Sequence, residues 1–366
     1  MVIPVCEPTI GELEKKYVND CLDTNWISSN GKYIEQFEKE FANFCDAKYG
    51  VSCSNGTAAL HLALKSVGIG DGDEVIVPDF SMIATANAVI YCGAKPIFID
   101  ANMDTWNMEI TDIEENITDK TKAIMVVHTY GNPVDMDKIN DIAHRHNLYV
   151  IEDAAEAHGA IYKDQMIGSL SDVAAFSFYG NKILTTGEGG MVVTNTKRIA
   201  DRAKYLRNHA FCKDRFTHYD LGFNYRMTNI QAAIGLAQTE KATILRENRI
   251  NNARLYNNLL KNVKGVTLPP ESKFGSNVYW MYGILLPNHT TKLRVMEELE
   301  REGIQTRSFF RPMSIQPIYE KMGLTTCSGN VHAINLYLRG LYLPSASHLT
   351  EEEIEYVCKT LKKVLK

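Results

Sequence analysis

An aspartate and a lysine, 182 − 153 = 29 positions apart, are the residues of this 366-residue chain that most directly suggest chemistry. Asp153 closes the apolar run Leu148-Tyr149-Val150-Ile151-Glu152-Asp153. Lys182 follows a second apolar run, Val173 to Phe178, and precedes the side-chain-poor loop Gly187-Glu188-Gly189-Gly190. A lysine between a buried strand and such a loop is placed to face a cleft, where partial burial depresses its pKa and favours imine formation. A carboxylate at a strand end is placed to hold a pyridine nitrogen protonated. Together these are the two groups that pyridoxal 5'-phosphate (PLP) chemistry demands: an amine to bind the aldehyde and an acid to keep the ring an electron sink. Each residue also has an ordinary reading. A lone lysine is usually solvated, and Asp153 would serve equally as the N-cap of a helix starting at Ala154. Placement alone does not decide between them.

A third element fits the same chemistry. Ser54-Asn55-Gly56-Thr57-Ala58-Ala59-Leu60 follows one predicted strand and opens a predicted helix. Small residues and free backbone N–H groups at a helix N-terminus make a phosphate site, although an ordinary capped helix has the same pattern. Ser177, five residues before Lys182, is a second possible phosphate donor. Other motifs are set aside. Gly68-Ile69-Gly70-Asp71-Gly72-Asp73 precedes a strand and reads as a turn, not a dinucleotide fingerprint. His144 and His146 sit on an exposed helix end, and the charges from Glu12 to Lys16 read as a solvated helix face. Glu152, on the other face of its strand from Asp153, reads as structural.

Residues 45 to 195 alternate β-branched runs with helical patterns. Strands are expected at Tyr49 to Cys53, Asp73 to Val77, Lys95 to Ile99, Thr121 to Val127 and Leu148 to Glu152, and helices at Gly56 to Val67, Ser81 to Cys92 and Met136 to His146. Such alternation implies an α/β fold, a mostly parallel sheet covered by helices, with ligands beyond the carboxyl ends of the strands. The residues singled out above all follow predicted strands. After about residue 228 the pattern changes to one or two long helices over Asn229 to Asn262, an aromatic strand at Asn277 to Leu286 (NVYWMYGILL), and helices near Lys292 to Glu302 and Thr350 to Leu365. This predicts a second, smaller α+β domain, with 1–240 forming the large domain and 241–366 the small one.

Composition excludes several classes of function. The net charge of −5 and the lack of a dense basic block give nucleic acid or an anionic membrane little to bind. The eight cysteines form no CxxC pair, which argues against a zinc site or disulfide frame and for a reducing compartment. No metal site is expected. No run of about 18 apolar residues and no secretory leader pattern is present, so a cytoplasmic protein is expected.

The motifs taken together resemble the DegT/DnrJ/EryC1/StrS family of sugar aminotransferases, PLP enzymes of fold type I. The resemblance spans nearly the whole chain: Asn25 to Tyr33, SNGTAALHLAL (54–64), GDEVIVP (72–78), VVHTYG (126–131), EDAAEAHGA (152–160), SFYGNKILTTGEGGM (177–191), GFNYRMT (222–228) and Gln231 to Gly235. It implies a ping-pong transamination. L-Glutamate gives its amino group to the cofactor, pyridoxamine phosphate carries it, and a 4-keto sugar nucleotide receives it. Lys182 would be the covalent and proton-transferring lysine and Asp153 the pyridine partner. Glu156, at a position often Gln in the family, would approach the ring and its 3-hydroxyl. Gly56, Thr57 and Ser177 resemble the phosphate set. Asn224 resembles a phosphate contact donated by a neighbouring subunit, which implies a homodimer. Trp26, Ser28, Arg307 and Arg311 are the implied sugar-nucleotide contacts.

Two positions depart from the family pattern. Met82 stands where relatives usually stack an aromatic ring on the cofactor, and either its thioether or Phe80 would take that role. Ser314 stands where many relatives have His, and Arg311 where Tyr or Trp is frequent. The forms of EDAAEAHG and SFYGNKILTTGEGG are similar to members that aminate C4 of GDP-4-keto-6-deoxy-mannose, a step toward O-antigen or another surface polysaccharide. A dTDP- or UDP-linked sugar, or amination at C3, stays open. Sugar 3-dehydratases of the same fold carry histidine in place of the lysine, and a non-catalytic regulator would have no need of the set Asp153, Ser177 and Lys182. Both readings are therefore disfavoured.

Overall fold

Short strands whose alternate residues are all buried build the centre of the molecule. In a computed structural model describing residues 2–214, 216–324 and 330–366, seven of them form one sheet: β1 (Tyr49–Cys53), β2 (Glu74–Pro78), β3 (Lys95–Ile99), β4 (Thr121–Val127), β5 (Tyr149–Asp153), and, after the two-residue strands β6 (Ile161–Tyr162) and β7 (Gln165–Met166), β8 (Val173–Ser177) and β9 (Gly190–Thr194). Their spatial order is β1-β9-β8-β5-β4-β2-β3. β9 is antiparallel to both neighbours, and every other pairing is parallel. The period of two sends Ile76, Ile124, Val150 and Phe176 into one core and Val75, Ala123, Ile151 and Ala175 into the other. Burial on both faces is what turns these strands into near-continuous apolar runs.

Helices cover both faces. They are α1 (Glu12–Asp23), α2 (Lys32–Phe44), α3 (Gly56–Ser66), α4 (Ala84–Tyr91), α5 (Met136–His146), α6 (Lys197–Arg207), α7 (Asn229–Glu240) and α8 (Ala242–Leu260). On α2, Tyr33, Ile34, Phe37 and Phe41 recur at helical spacing and are buried. Phe41 meets Phe176 and Phe178 edge-on at 4.9 Å. α7 reaches α2 closely because Gly235 has no side chain: a Cβ there would lie 2.6 Å from the Phe37 ring. Thr228 and Gln231 form a reciprocal capping box at the start of α7. The single long helical pattern divides at Lys241, whose ammonium pairs with the buried Glu14 of α1.

The C-terminal portion contains β10 (Gly275–Ser276), β11 (Tyr282–Leu285), α9 (His289–Arg301), β12 (Arg307–Ser308), α10 (Pro317–Lys321), α11 (Val331–Arg339), β13 (Gly340–Leu343) and α12 (Glu351–Leu365). β11, β13 and β12 form an antiparallel sheet. Its core joins Tyr256, Ile284, Leu299, Leu343 and Leu361 with Ile3, which pairs with Ile304. Ile3 therefore belongs to this third core, whereas Val5 joins the core that holds Phe37.

Two of the differences in element boundaries from the sequence reading bear on the site. The strand expected over Asn277 to Leu286 begins only at Tyr282, because the N–H groups of Val278 and Trp280 bond to the carbonyls of Gly131 and Tyr130 instead of to a ladder. The helix expected from Ser81 begins at Ala84. Ser81 is tied to Thr85 through its hydroxyl (2.9 Å), and the Met82 sulfur accepts the Ala84 N–H. Both irregular stretches face the same cleft.

Candidate active site

The parallel strands β1, β2, β5 and β8 end on one edge of the sheet, and the residues that follow them meet in a cleft of about 690 Å³. Gly56, Thr57, Met82, Asp153, Glu156, Ser177, Lys182 and Arg307 all line it. Eight positions scattered over 252 residues of sequence (307 − 55) are gathered there.

Asp153 and Glu152 demonstrate how strand geometry sorts adjacent carboxylates. Glu152 points into the fully buried face, where it accepts from His128 Nε2 (3.1 Å), Gly168 N–H (3.0 Å) and the Ser171 hydroxyl (2.8 Å). His128 Nδ1 accepts the Val134 N–H, so its proton resides on Nε2. Glu152 is structural, as its place on the strand implied. Asp153 points to the other face and into the cleft. Its Oδ2 accepts the Thr85 hydroxyl at 2.7 Å, and its Oδ1 accepts the Ala155 N–H at 3.3 Å. No helix starts after it, so the capping reading fails. Burial raises its pKa, opposed by the Thr85 hydrogen bond and then by the Ala155 N–H and the Lys182 charge.

At the start of α3, the Asn55 side chain accepts from Ala58 N–H, and the N–H groups of Gly56 and Thr57 have no partner within the helix. A Cβ at Gly56 would lie 2.6 Å from Ser177 Cβ. Only glycine lets the helix terminus approach the end of β8 this closely. The result is a cradle of backbone N–H groups and hydroxyls at the positive end of a helix, which suits a phosphate.

Lys182 is half-buried on the cleft floor. Burial lowers its pKa, against the attraction of Glu156 and Asp153. A lowered pKa supplies the neutral amine that imine formation needs. Glu156 is buried, and its Oε2 accepts the Tyr130 N–H at 2.7 Å. Burial pushes its carboxyl up to about 7, with the Lys182 charge the chief opposing influence. The donor set therefore fits PLP. An amine, a carboxylate able to hold a ring nitrogen proton, and a phosphate cradle open into one cavity.

Other expectations fall differently. Phe80 is 1% exposed and packs at 6.0 Å or less against Tyr130, Phe309 and Phe310, away from the cleft. It is excluded as the stacking residue, whereas Met82 is 49% exposed at the cleft mouth. Arg311 turns away and donates to the Ile315 carbonyl at 3.1 Å. Ser314 is buried against Asp79, giving it both a backbone and a hydroxyl hydrogen bond (2.6 and 2.7 Å). Trp26 lines a separate surface groove with Lys32 and Asn229, and Ser28 is exposed, its carbonyl accepting the Asn229 N–H. Asn224 is exposed and outside its own cleft, although its neighbour Tyr225 lines it.

Sequence reasoning missed the aromatic wall: Tyr91, Tyr225, Trp280, Phe310 and Tyr342. It also missed Thr85, the partner of Asp153. The run NVYWMYG reads as a strand, and its break at Trp280 has no local signal. Cys327 lies outside the described residues, and the other seven cysteines are free. Among the described residues no group of His, Cys, Asp and Glu is arranged to hold a metal, and no helix is long and apolar enough to cross a membrane.

The profile of the DegT/DnrJ/EryC1/StrS aminotransferase family matches residues 8–362. GDP-perosamine synthase of Escherichia coli O157:H7 is 45% identical over 98% of this chain and 97% of its own length. GDP-perosamine synthase of Caulobacter vibrioides is 46% identical over 99% and 98%. Among solved structures, the Helicobacter pylori aminotransferase PseC superposes with a TM-score of 0.94 at 27% identity, covering 100% of this chain and 99% of that one. The PLP form of Spr1654 from Streptococcus pneumoniae superposes at 0.95 and 25% identity, covering 100% of this chain and 99% of that one.

Proposed function

Because the chain belongs to the DegT/DnrJ/EryC1/StrS aminotransferase family, we propose that it moves the amino group of L-glutamate to C4 of GDP-4-keto-6-deoxy-D-mannose, giving GDP-perosamine. The chain is a PLP-dependent sugar-nucleotide aminotransferase, an enzyme whose fold matches others of that kind. The observation that carries the site assignment is the convergence of Lys182, Asp153 and the Gly56–Ser177 cradle in one cleft. The full-length identity of 45% and 46% to two GDP-perosamine synthases supports the choice of sugar.

When bound, PLP supplies an electron sink that acidifies the substrate carbon bearing nitrogen. The chain's residues do the rest. Gly56, Thr57 and Ser177 hold the phosphate. Asp153, braced by Thr85, keeps a proton on the ring nitrogen. Lys182 would bind the aldehyde and, once displaced, would move a proton at its Nζ within each half-reaction: it would take one from the amino-acid carbon and deliver it before the first half ends, and by the reverse transfer would place one on the sugar C4 in the second. Arg307, at the rim, pairs with the diphosphate. We further propose a cytoplasmic homodimer in which Asn224 reaches the partner's cleft. Its exposure outside its own cleft is the placement such a role requires.

Absorbance tests the reaction. Purified protein should show a band near roughly 410–430 nm that moves to about 330 nm with L-glutamate and returns with GDP-4-keto-6-deoxy-mannose. Movement without return would replace the GDP sugar by a dTDP- or UDP-linked one. No band after added PLP would remove the role of Lys182. The shared site is tested by mixing Lys182→Ala and Asn224→Ala chains. Random pairing restores about a quarter of the wild-type sites if clefts are shared, and none if they are not.

A further inference from the structure

The aromatic wall contains one ring that touches the lysine itself. Trp280 is 4% exposed, and Lys182 Nζ lies 3.6 Å from the centre of its ring, within cation–π distance. Three hydrogen bonds fix the tryptophan. Its Nε1–H donates to the Asn181 carbonyl at 2.8 Å, and its backbone N–H donates to the Tyr130 carbonyl at 2.9 Å. Its carbonyl accepts from Arg249 at 2.9 Å. Arg249 is itself buried, donating also to Ser347 Oγ and Cys6 Sγ. Asn181 directly precedes Lys182, so the indole grips the lysine's backbone at one edge and covers its amine with its face. Among the described residues neither Asp153 nor Glu156 makes an ion pair with Lys182. The ring is the partner the amine meets.

We propose that Trp280 is a positioning residue for Lys182: its indole face is where the side-chain amine rests whenever that amine is not covalently engaged. This deepens the function proposed above and rests on it. A free lysine side chain has four flexible carbons and would otherwise sweep the cleft. A fixed resting place keeps Nζ on one side, within reach of the proton it must collect, and lowers the entropy lost in each transfer. The same face favours ammonium over neutral amine and so works against burial. Glu156, Asp153 and Cys6 also favour the charged form, and His158, pushed down to about 3, is neutral over the range tested. Glu188 and Arg307 stand at the rim. All of them stay in place when only the ring is changed.

The test uses the full chain freed of PLP. Trace acetic anhydride is applied across about pH 7–11, and the Lys182 peptide is quantified against the exposed Lys15 peptide by mass spectrometry. Trp280→Leu should lower the Lys182 inflection by about half to one pH unit, and Trp280→Phe, with a weaker face, by a few tenths. With PLP restored, both variants should keep the absorbance band. In a single turnover with glutamate, Trp280→Leu should be about tenfold slower with unchanged glutamate Kd. An unchanged inflection in both variants overturns the proposal. If Trp280→Leu does not fold, Trp280→Phe decides alone. Failure here is separable from failure of the proposed function, because labelling needs no cofactor. A wild-type chain that titrates normally but shows no PLP band would refute only the latter.

Discussion

The two walls of the cleft are built on opposite principles. The wall from the seven-stranded sheet is made, apart from Met82, Tyr91, Tyr179 and Tyr225, of short side chains and backbone: Gly56, Thr57, Asp153 and Ser177 stand at strand ends or at the helix start that follows one, held by hydrogen bonds such as Thr85 to Asp153 at 2.7 Å. The opposite wall is made of long side chains, Trp280, Arg307, Phe310 and Tyr342, on irregular segments or short strands of the C-terminal portion. On the proposed function, the first wall holds what every turnover shares. The second is placed to distinguish what enters. Rigid geometry suits the invariant part of a reaction, and large replaceable side chains suit the variable part.

Substitutions should therefore separate by wall. The largest effect belongs to Lys182→Ala, with both half-reactions falling at least about 10³-fold and the PLP band lost. In the PLP-free chain its thermal midpoint should change little, since the loss of the contact with the Trp280 ring is offset by removal of a half-buried amine that has no ion pair among the described residues. Asp153→Asn should slow both half-reactions alike by about 10²–10³-fold. A loss confined to one of them would break the division between walls. Arg307→Ala should raise the KM for the sugar nucleotide about tenfold and leave the glutamate half-reaction unchanged. Arg311→Ala should do neither, because that guanidinium is turned toward Ile315. Equal effects from the two arginines would place the diphosphate elsewhere.

The smallest predicted effect lies at the seam, where Glu156 accepts the Tyr130 N–H. Its folded pKa of about 7 is above its ordinary 4.5. Protonated Glu156 thus adds stability that is complete below 4.5 and is lost as pH rises through 7. His158, pushed down to about 3 by burial and then by Lys182, acts in the opposite sense: its stability is complete above 6.5 and is lost as pH falls toward 3. The slope of wild-type melting alone is consequently a mixture. The difference between wild type and Glu156→Gln in the PLP-free chain isolates the glutamate, and the wild-type advantage should shrink from pH 4.5 to 7. A difference that stays flat with pH would show that folding does not raise the Glu156 carboxyl.

The sheet wall was legible because parallel α/β topology converts sequence order into place. A polar residue directly after a β-branched run must lie at the carboxyl edge, as Asp153, Ser177 and the Ser54–Thr57 segment do. The same rule separated Glu152 from Asp153. The aromatic wall was hidden because Trp280 and Tyr130 meet through backbone hydrogen bonds between segments 150 residues apart (280 − 130), and no periodicity encodes that. Thr85 was hidden for a related reason. It lies in the first turn of α4, and only the tie between Ser81 and Thr85 aims it at Asp153. Asn224, Trp26 and Ser28 follow no strand of the sheet and lie outside the cleft, so the rule does not reach them.

The pairing of Ile3 with Ile304, reinforced by the Val5 N–H to Gln305 hydrogen bond across 300 residues, bears on how the protein is made. On the ribosome, the segment around Ile3 emerges long before the surface that receives it. During that interval an apolar stretch waits without its core. Closing so long a loop costs little more free energy than closing one half as long, about 0.6 kcal/mol, but it postpones the event. Ile3 can pair only after Ile304 has been made, and that pairing buckles the C-terminal portion onto the rest. The same strap passes through Cys6 and Arg249 to Trp280, so a chain that has not completed this step would also lack the support behind its lysine.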